Sequence, residues 1–333
     1  MTTKMEVSVI IVNYNTTDLV LQCIASLKKH VQLSFEILVI DNGTEAEAKR
    51  MLHAMHPEVQ YHTMGYNAGF ARANNVGITL AQGAYVLLLN SDAWLEEDSI
   101  SKMRQFYQVK ESSIRIGLLG CRIIGLDNVL QIGTHINFPT WRKALRANPF
   151  WIVLQRVIRR KRNNTMNINQ VHHTNHPVSV VSGACVFFRR HSFVQQQLFL
   201  DEDFFLYSED TEWSFRVLRA GFTNYFCGET QIRHINGASS AAHSNRDKQL
   251  YVSELLYFYK TLTPWVFHVY VGMLRFNFQL NRFLLRRKGM GEERQKLHEE
   301  QALFSLYLRE IRRHYKRTPN SSKHPLIYGK KHS

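Results

Sequence analysis

Three groups of residues in this 333-residue chain have the types and spacing to do chemistry. The first is Tyr207-Ser208-Glu209-Asp210-Thr211-Glu212-Trp213, an acidic stretch directly after the aromatic pair Phe204-Phe205. Trp213, Val217 and Ala220 repeat at helical spacing behind Ser208, a good N-cap residue, and Gly221 closes the repeat as a C′ glycine. Glu209 and Asp210 are therefore expected in a first turn, at the mouth of a helix. The second group is Asn90-Ser91-Asp92, which puts a carboxylate just after a central strand, and the third is His234 in Arg233-His234-Ile235-Asn236. A hard cation that shares its coordination with phosphate and water oxygens needs only one or two protein ligands, and Asp92 and His234 could supply them. Each group also has a plainer reading. Acids in a first turn complement the helix dipole, Asn and Asp at strand ends form turns, and a lone histidine after a strand is commonly a packed or exposed residue.

The elements that must position these groups follow from the hydrophobic pattern. Val7 to Val12 is a nearly unbroken apolar run, as in a strand buried on both faces, and Asn13-Tyr14-Asn15 ends it. Leu19, Cys23 and Leu27 mark a helix to about His30, and Phe35 to Ile40 is a second strand stopped by Asp41-Asn42-Gly43. A helix over Glu45 to Met55, a short strand near Tyr61, a helix over Phe70 to Ala81 and a strand over Ala84 to Leu89 continue the alternation. Such alternation predicts an α/β fold: a parallel sheet with helices on both faces. Ligands bind beyond the carboxyl ends of the strands in such sheets, where the polar clusters at Asn13, Asp41 and Asn90 fall. Further on, Val178 to Phe188 reads as a core strand interrupted by Ser182-Gly183-Ala184, and Thr223 to Cys227 as a short strand ahead of His234. Beyond Ala242 the periodicity is helical. The expected organisation is one domain over 1–241, with a basic aromatic insertion at 141–176, then a basic helical region over 242–317 and a tail without order at 318–333.

The order of these motifs resembles a known family. Val-Ser-Val-Ile-Ile-Val-Asn-Tyr-Asn from Val7, Ile-Asp-Asn from Ile40, Asn67-Ala68-Gly69-Phe70-Ala71-Arg72, and Leu89-Asn90-Ser91-Asp92 resemble the nucleotide-sugar half of family 2 glycosyltransferases. Tyr207-Ser208-Glu209-Asp210 through Arg216, followed by His234, is similar to the acceptor half, and the nearest branch is the rhamnosyltransferase-like one of bacterial surface polysaccharide assembly. The resemblance implies the Rossmann-like GT-A fold. It implies a dTDP- or UDP-sugar donor bound by Asn13, Tyr14, Asn15, Asp41, Asn67, Arg72, Asn90, Ser91 and Gly183, with Asp41 on the pyrimidine base. It also implies a divalent cation, Mn²⁺ or Mg²⁺, on Asp92 and His234, and Asp210 as catalytic base with Glu209 beside it. The pattern departs at Asn90, where the family motif commonly has an acid, so a single carboxylate serves the metal. Transfer by one base on the face opposite the leaving group inverts the anomeric carbon, and a cation offsets charge on the departing diphosphate.

Composition sets the partners. The formal net charge is +15, which implies an acidic partner. The excess lies in Trp141 to Arg162, which has no acid, and in the helical region after Ala242. Basic segments mixed with aromatic residues predict an anionic membrane surface, matching a saccharide acceptor carried on a polyprenyl diphosphate. No nucleic-acid module accompanies the charge, so nucleic acid is not expected as partner; a homo-oligomer stays open. The four cysteines, Cys23, Cys121, Cys185 and Cys227, are scattered without a Cys-x-x-Cys pair, and the apolar run Trp265 to Leu274 is too short to span a bilayer. The expectation is a cytoplasmic protein, peripheral on the inner face of the membrane. A non-catalytic nucleotide-sugar-binding scaffold is the rival that Asn90 supports, and a basic nucleic-acid-binding protein is the other.

Overall fold

The computed structural model describes residues 5–43, 46–131, 138–140, 173–235, 243–287 and 291–315. The expectations for Trp141 to Arg162 and for 318–333 lie outside them. The strands Val7–Asn13 (β1), Phe35–Asp41 (β2), Gln60–Thr63 (β3) and Tyr85–Asn90 (β4) alternate with the helices Thr17–His30 (α1), Ala46–Met55 (α2) and Phe70–Leu80 (α3). Next come Ala93–Trp94 (β5), Ser99–Glu111 (α4), Ile116–Ile124 (β6), Leu130–Gln131 (β7), His176–Pro177 (β8) and Cys185–Arg189 (β9). Arg190–Gln195 (α5), Glu209–Arg219 (α6) and Thr223–His234 (β10) follow, then the helices His243–Thr261 (α7), Pro264–Arg287 (α8) and Gly291–His314 (α9). Two compact units divide the chain, with a boundary inside α7 between Ser253 and Glu254.

In the first unit the described strands form one sheet in the order β3-β2-β1-β4-β9-β6-β10-β5, with β7 on β6 and β8 on β10. Alternate residues of β1 explain the layers. Val7, Val9 and Ile11 pack with Val20, Ile24 and Leu27 of α1 and Met103 and Tyr107 of α4. Ile10 packs on the other side with Ala71, Ala73 and Ile78 of α3 and Trp213 and Val217 of α6. Helices thus cover both faces, as the continuous apolar strands require.

Three expectations need correction. The sheet is mixed, because β9 runs antiparallel to β4 and to β6. The strand expected from Val178 begins only at Cys185. Val178, Val180 and Val181 are buried, but their segment spends its amides elsewhere: Val178 N–H donates to the Asn224 carbonyl (2.9 Å) and Val181 N–H to Ser214 Oγ (3.2 Å). Apolar character reported burial there, not ladder pairing. The strand expected to stop at Cys227 runs on to His234, 12 residues in all as β10, through a register shift between Cys227 and Gln231, so His234 ends the strand.

The mixed topology still brings one polar edge together. β1, β2 and β4 are mutually parallel, so Asn13, Asp41 and Asn90 share an end of the sheet. β9 enters at that end, with the Asn90 N–H on the Ala184 carbonyl at 3.1 Å. β6 and β10 are parallel to each other and β6 is antiparallel to β9, which returns His234 to the same edge.

The segment before α6 is docked on α3 by Asn75, which exchanges hydrogen bonds with the Leu200 backbone (2.9 Å each way), and at the helix start by a backbone bond. Phe70 N–H donates to the Phe205 carbonyl at 2.8 Å. Gly69 has φ +83°, and a Cβ built there would lie 2.5 Å from that same oxygen. Glycine is required twice over, for its left-handed backbone and for the approach. Gly69→Ala is therefore expected to lower stability by roughly 2 kcal/mol or more, read as a shifted urea midpoint with an unchanged slope.

In the second unit α8 packs on α7 through Phe258 and Tyr270 (ring centroids 5.0 Å apart) and on α9 through Phe278 and Phe304 (5.6 Å).

Candidate functional site

Of the residues expected to bind the donor, Asn13, Asp41 and Ser91 share one hydrogen-bond network. Asn13 Nδ2 donates to Asp41 Oδ1 at 2.9 Å, and Asn13 Oδ1 accepts from the Thr16 amide at 3.1 Å. Thr16 Oγ1 lies 3.0 Å from Ser91 Oγ, joining the end of β1 to the turn after β4. Asp41 is buried; its Oδ1 also accepts from the Gly43 amide at 3.1 Å and its Oδ2 from the Tyr61 hydroxyl. Burial, reinforced by that carboxylate, pushes the Tyr61 phenol up, so it remains a donor. Three of the about four acceptor positions of Asp41 are thus used within the protein. Tyr14 beside it is 39% exposed, and Asn15 takes φ +53°, a left-handed conformation that asparagine tolerates.

Asn42, Asn67 and Arg72 lie at the start of α3. Asn42 Nδ2 donates to the Gly69 carbonyl at 3.0 Å, and Asn67 Oδ1 accepts from the Gly69 amide at 3.2 Å, so both shape the turn. Arg72 points its Nε to Glu202 Oε2 at 3.1 Å and Nη1 to the Tyr66 hydroxyl at 3.3 Å. The structure therefore places Arg72 in a surface ion pair.

Asp92 and His234, 142 positions apart in the sequence by subtraction of their numbers, meet at the polar edge. His234 Nε2 is 3.1 Å from Asp92 Oδ1 and 3.2 Å from Asn90 Nδ2, and both Asp92 and His234 are buried. Gln131 settles the tautomer. Its Nε2 donates to the His234 carbonyl at 2.8 Å, which turns its Oε1 toward His234 Nδ1 at 2.9 Å. Nδ1 therefore donates to Gln131, and Nε2 is the ring nitrogen set against the Asp92 carboxylate. A ring nitrogen oriented through its partner nitrogen and placed beside a carboxylate oxygen is the arrangement of a metal-ligating histidine and its outer-shell support. These residues fit a divalent cation as a two-ligand set; among the described residues no cluster of three His, Cys, Asp or Glu side chains stands ready to hold one. Gln131 was not among the sequence candidates, and nothing in a lone Leu-Gln on a two-residue strand marks it.

The acceptor-side acids begin α6. Ser208 stands at the N-cap position but does not cap: its φ and ψ are 64° and −4° and its side chain makes no capping bond. Tyr207 has φ +68°, so two successive non-glycine residues are left-handed. Such residues cost of order 1–3 kcal/mol each and persist where surrounding structure over-determines them. The holding groups are visible. Trp213 Nε1 donates to the Leu198 carbonyl (2.7 Å), Arg216 Nη2 to the Phe199 carbonyl (2.7 Å) and Ser253 Oγ to the Leu206 carbonyl (2.7 Å). Arg216 is itself fixed by Glu212, whose two oxygens each lie 2.8 Å from its Nε.

Asp210 results with one oxygen on the Gly183 amide (Oδ2, 3.1 Å) and the other on the Thr211 amide and hydroxyl (Oδ1, 2.6 and 3.1 Å). This bond joins the approach to β9 with α6 and brings Gly183 beside the candidate base. Glu209 is buried, and its Oε2 has no hydrogen-bond partner. Burial, with the Asp210 charge adding to it, pushes the Glu209 carboxyl up to about 8. One acid of the pair is thus held neutral and the other, amide-stabilised, stays available.

Comparison with known proteins gives the family and the fold. The model of glycosyl transferase family 2 matches residues 8–195, more than half of the chain, and the chain belongs to that family. It is 24% identical over 254 residues to an N-acetylglucosaminyl-diphospho-decaprenol L-rhamnosyltransferase of Mycobacterium tuberculosis, covering 71% of this chain and 79% of the relative. It is 25% identical over 232 residues to the low-salt glycan biosynthesis hexosyltransferase Agl10 of Haloferax volcanii, covering 68% of this chain and 65% of the relative. Over 114 residues it is 27% identical to the glycosyltransferase GlyG of Streptococcus pneumoniae, covering 33% of this chain and only 38% of that relative. Among solved structures, GalNAc-T7 with UDP, GalNAc and Mn²⁺ superposes with a TM-score of 0.51 at 13% identity, covering 78% of this chain and 51% of that one. Residues 1–349 of Staphylococcus aureus TarS in complex with UDP-GlcNAc give 0.50 at 15% identity, covering 76% and 65%. The fold is the GT-A fold, with a helical C-terminal region.

The neutral Glu209 has a thermodynamic signature. A carboxyl whose folded pKa is raised keeps its proton in the folded state while the unfolded chain releases it. Stability should therefore fall as pH rises between the ordinary value of 4.5 and about 8, by at most about 1.4 kcal/mol per pH unit from this group. Glu209→Gln is expected to flatten that slope relative to the unaltered protein, measured as urea midpoints across the same window.

Proposed function

We propose that the protein is an inverting glycosyltransferase that moves a hexose or deoxyhexose, rhamnose first, from a dTDP- or UDP-sugar to a saccharide carried on a polyprenyl diphosphate. The observation that carries this is the convergence on one sheet edge of the Asp92–His234 pair and of Asp210 held by the Gly183 amide. Relatives named as a decaprenyl-linked rhamnosyltransferase and a glycan-biosynthesis hexosyltransferase support the choice of donor and acceptor class. A place on the inner face of the membrane, where such an acceptor is presented, belongs to the same reading.

The reaction is a single displacement. The acceptor oxygen forms a bond to the anomeric carbon while the bond from that carbon to the diphosphate oxygen breaks, and configuration inverts. Asp210 takes the acceptor hydroxyl proton, aimed by the Gly183 and Thr211 amides. Glu209, neutral beside it, adds no second charge to repel the acceptor oxygen or the base. Asp92 Oδ1 and His234 Nε2 would hold a divalent cation, Mn²⁺ or Mg²⁺, which when bound stabilises negative charge on the leaving diphosphate. Asn13, Asp41, Thr16 and Ser91 hold the loop on which Tyr14 and Asn15 meet the nucleoside. Arg72, paired with Glu202, is left out of diphosphate binding in this reading.

Asp210→Asn is expected to reduce turnover by roughly a hundredfold to ten-thousandfold while calorimetric binding of UDP or dTDP persists; near-normal turnover would remove Asp210 from the role. Binding of UDP and dTDP over GDP, strengthened by Mn²⁺ and abolished by EDTA, is expected in the same experiment, and no nucleotide binding at all would favour the scaffold. Gly183 gives a third test. A Cβ there would meet only Phe70 Cε1 at 3.4 Å and Asp210 Cβ at 3.6 Å, which are ordinary contacts. Gly183→Ala should therefore keep or slightly raise the melting temperature while weakening donor binding, and unchanged donor binding would take Gly183 out of the donor floor.

A further inference from the structure

The helix α8 has two unlike faces. Phe267, Tyr270, Val271 and Asn277 are buried. The opposite side carries Trp265, Val269, Phe276 and Phe283, which are 70%, 43%, 58% and 50% exposed. Their spacings of four, seven and seven residues return to one stripe, because seven residues drift by only about 20° on an α-helix. Gly272 lies on the same stripe and a Cβ there would meet nothing within 4 Å, so no neighbour covers the gap.

Charge decides what fits this face. Pro264–Arg287 contains no Asp or Glu, and Arg275, Arg282 and Arg286 flank the stripe on one side. None of the three makes an ion pair with a described residue. A second copy crossing this face antiparallel, about a two-fold axis normal to α8, would set these arginines against their equivalents. An acidic surface would pair with them. No helix among the described residues is long and apolar enough to cross a membrane. A row of Trp, Val and Phe bordered by arginines without an ion pair among the described residues is the composition of a helix lying in a lipid interface, its rings among the acyl chains and its guanidinium groups on phosphate.

We infer that the exposed stripe of α8, Trp265, Val269, Phe276 and Phe283 with Arg275, Arg282 and Arg286, docks the protein face-on to an anionic lipid surface. The purpose rests on the acceptor reading above, but the surface and its test do not. In this picture each arginine gains from the negative surface potential and the aromatic rings gain from leaving water.

The test uses the full chain and co-sedimentation with phosphatidylcholine vesicles, with and without phosphatidylglycerol. Binding is expected only to the phosphatidylglycerol vesicles and should weaken as salt rises. Val269→Gln/Phe276→Gln and, separately, Arg275→Gln/Arg282→Gln should each reduce it by on the order of tenfold or more. These side chains are exposed or flanking, so circular dichroism and nucleotide binding should be unaltered, which keeps a lost vesicle signal distinct from a lost fold or a failed donor site. Trp265 supplies an independent readout: tryptophan emission should shift to the blue on vesicle addition, and Trp265→Phe should remove that shift. Vesicle binding undiminished in both double variants, equal binding to phosphatidylcholine alone, or no Trp265-dependent shift would overturn the inference. A dimer that both double variants dissolve, without vesicle binding, would overturn it in favour of a second copy.

Discussion

The start of α6 is placed by a close backbone approach, the hydrogen bond from Phe70 N–H to the Phe205 carbonyl across the bare Cα of Gly69, with Asn75 holding Leu200 beside it. It ties the chain that leads into α6 to the first turn of α3, and α3 is packed on the sheet by Ala71, Ala73 and Ile78. A bond between two backbones leaves no rotamer to relax. The position of Phe205 is thereby transmitted to Tyr207 and Ser208, whose left-handed conformations set the direction in which the helix starts. The conformational cost of those two residues is offset by contacts on all sides: Trp213 and Arg216 from the helix itself, Ser253 from α7. Strain concentrated beside a candidate base, and compensated at several independent points, is what a site that must hold one geometry requires.

The same economy governs the polar edge. Each carboxylate has its own kind of partner: Asp41 has amides and a phenol, Asp92 has His234 oriented by Gln131, and Asp210 has the Gly183 and Thr211 amides. Glu209, the one with an unsatisfied oxygen, is held protonated. Buried charge is tolerated here only where a donor meets it.

How far the sequence could lead varied with the physics of each part. The apolar runs of β1, β2 and β4 and the periodicity of α1 and α3 located the nucleotide half because burial on both faces leaves a periodic trace. Asp92, His234, Asp210 and Gly183 were found as residue types in a familiar order, and the fold brings them to one edge. What escaped was long-range and orientational. Val178 to Ala184 looks like a strand because it is apolar, but its amides go to the Asn224 carbonyl and to the side chains of Ser214 and Asp210 rather than into a continuous ladder. Thr223–His234 looks short because Gly228-Glu229-Thr230 resembles a turn. Ser208 has the side chain of a cap and the backbone of something else, and Gln131 acquires its role only when β7 pairs with β6 beside the end of β10. Arg72 is expected at the diphosphate, and its ion pair with Glu202, from 130 residues away, is a contact the sequence does not show.

That last pairing has a consequence for how this edge responds to dissolved salt. Arg72 and Glu202 are joined at 3.1 Å with side chains 43% and 45% exposed, and a pair so exposed is weak and is screened as ions are added. Asp92 and His234 are buried, where screening reaches much less. Added salt would therefore loosen the arginine from the turn it borders while leaving the carboxylate and the imidazole in register.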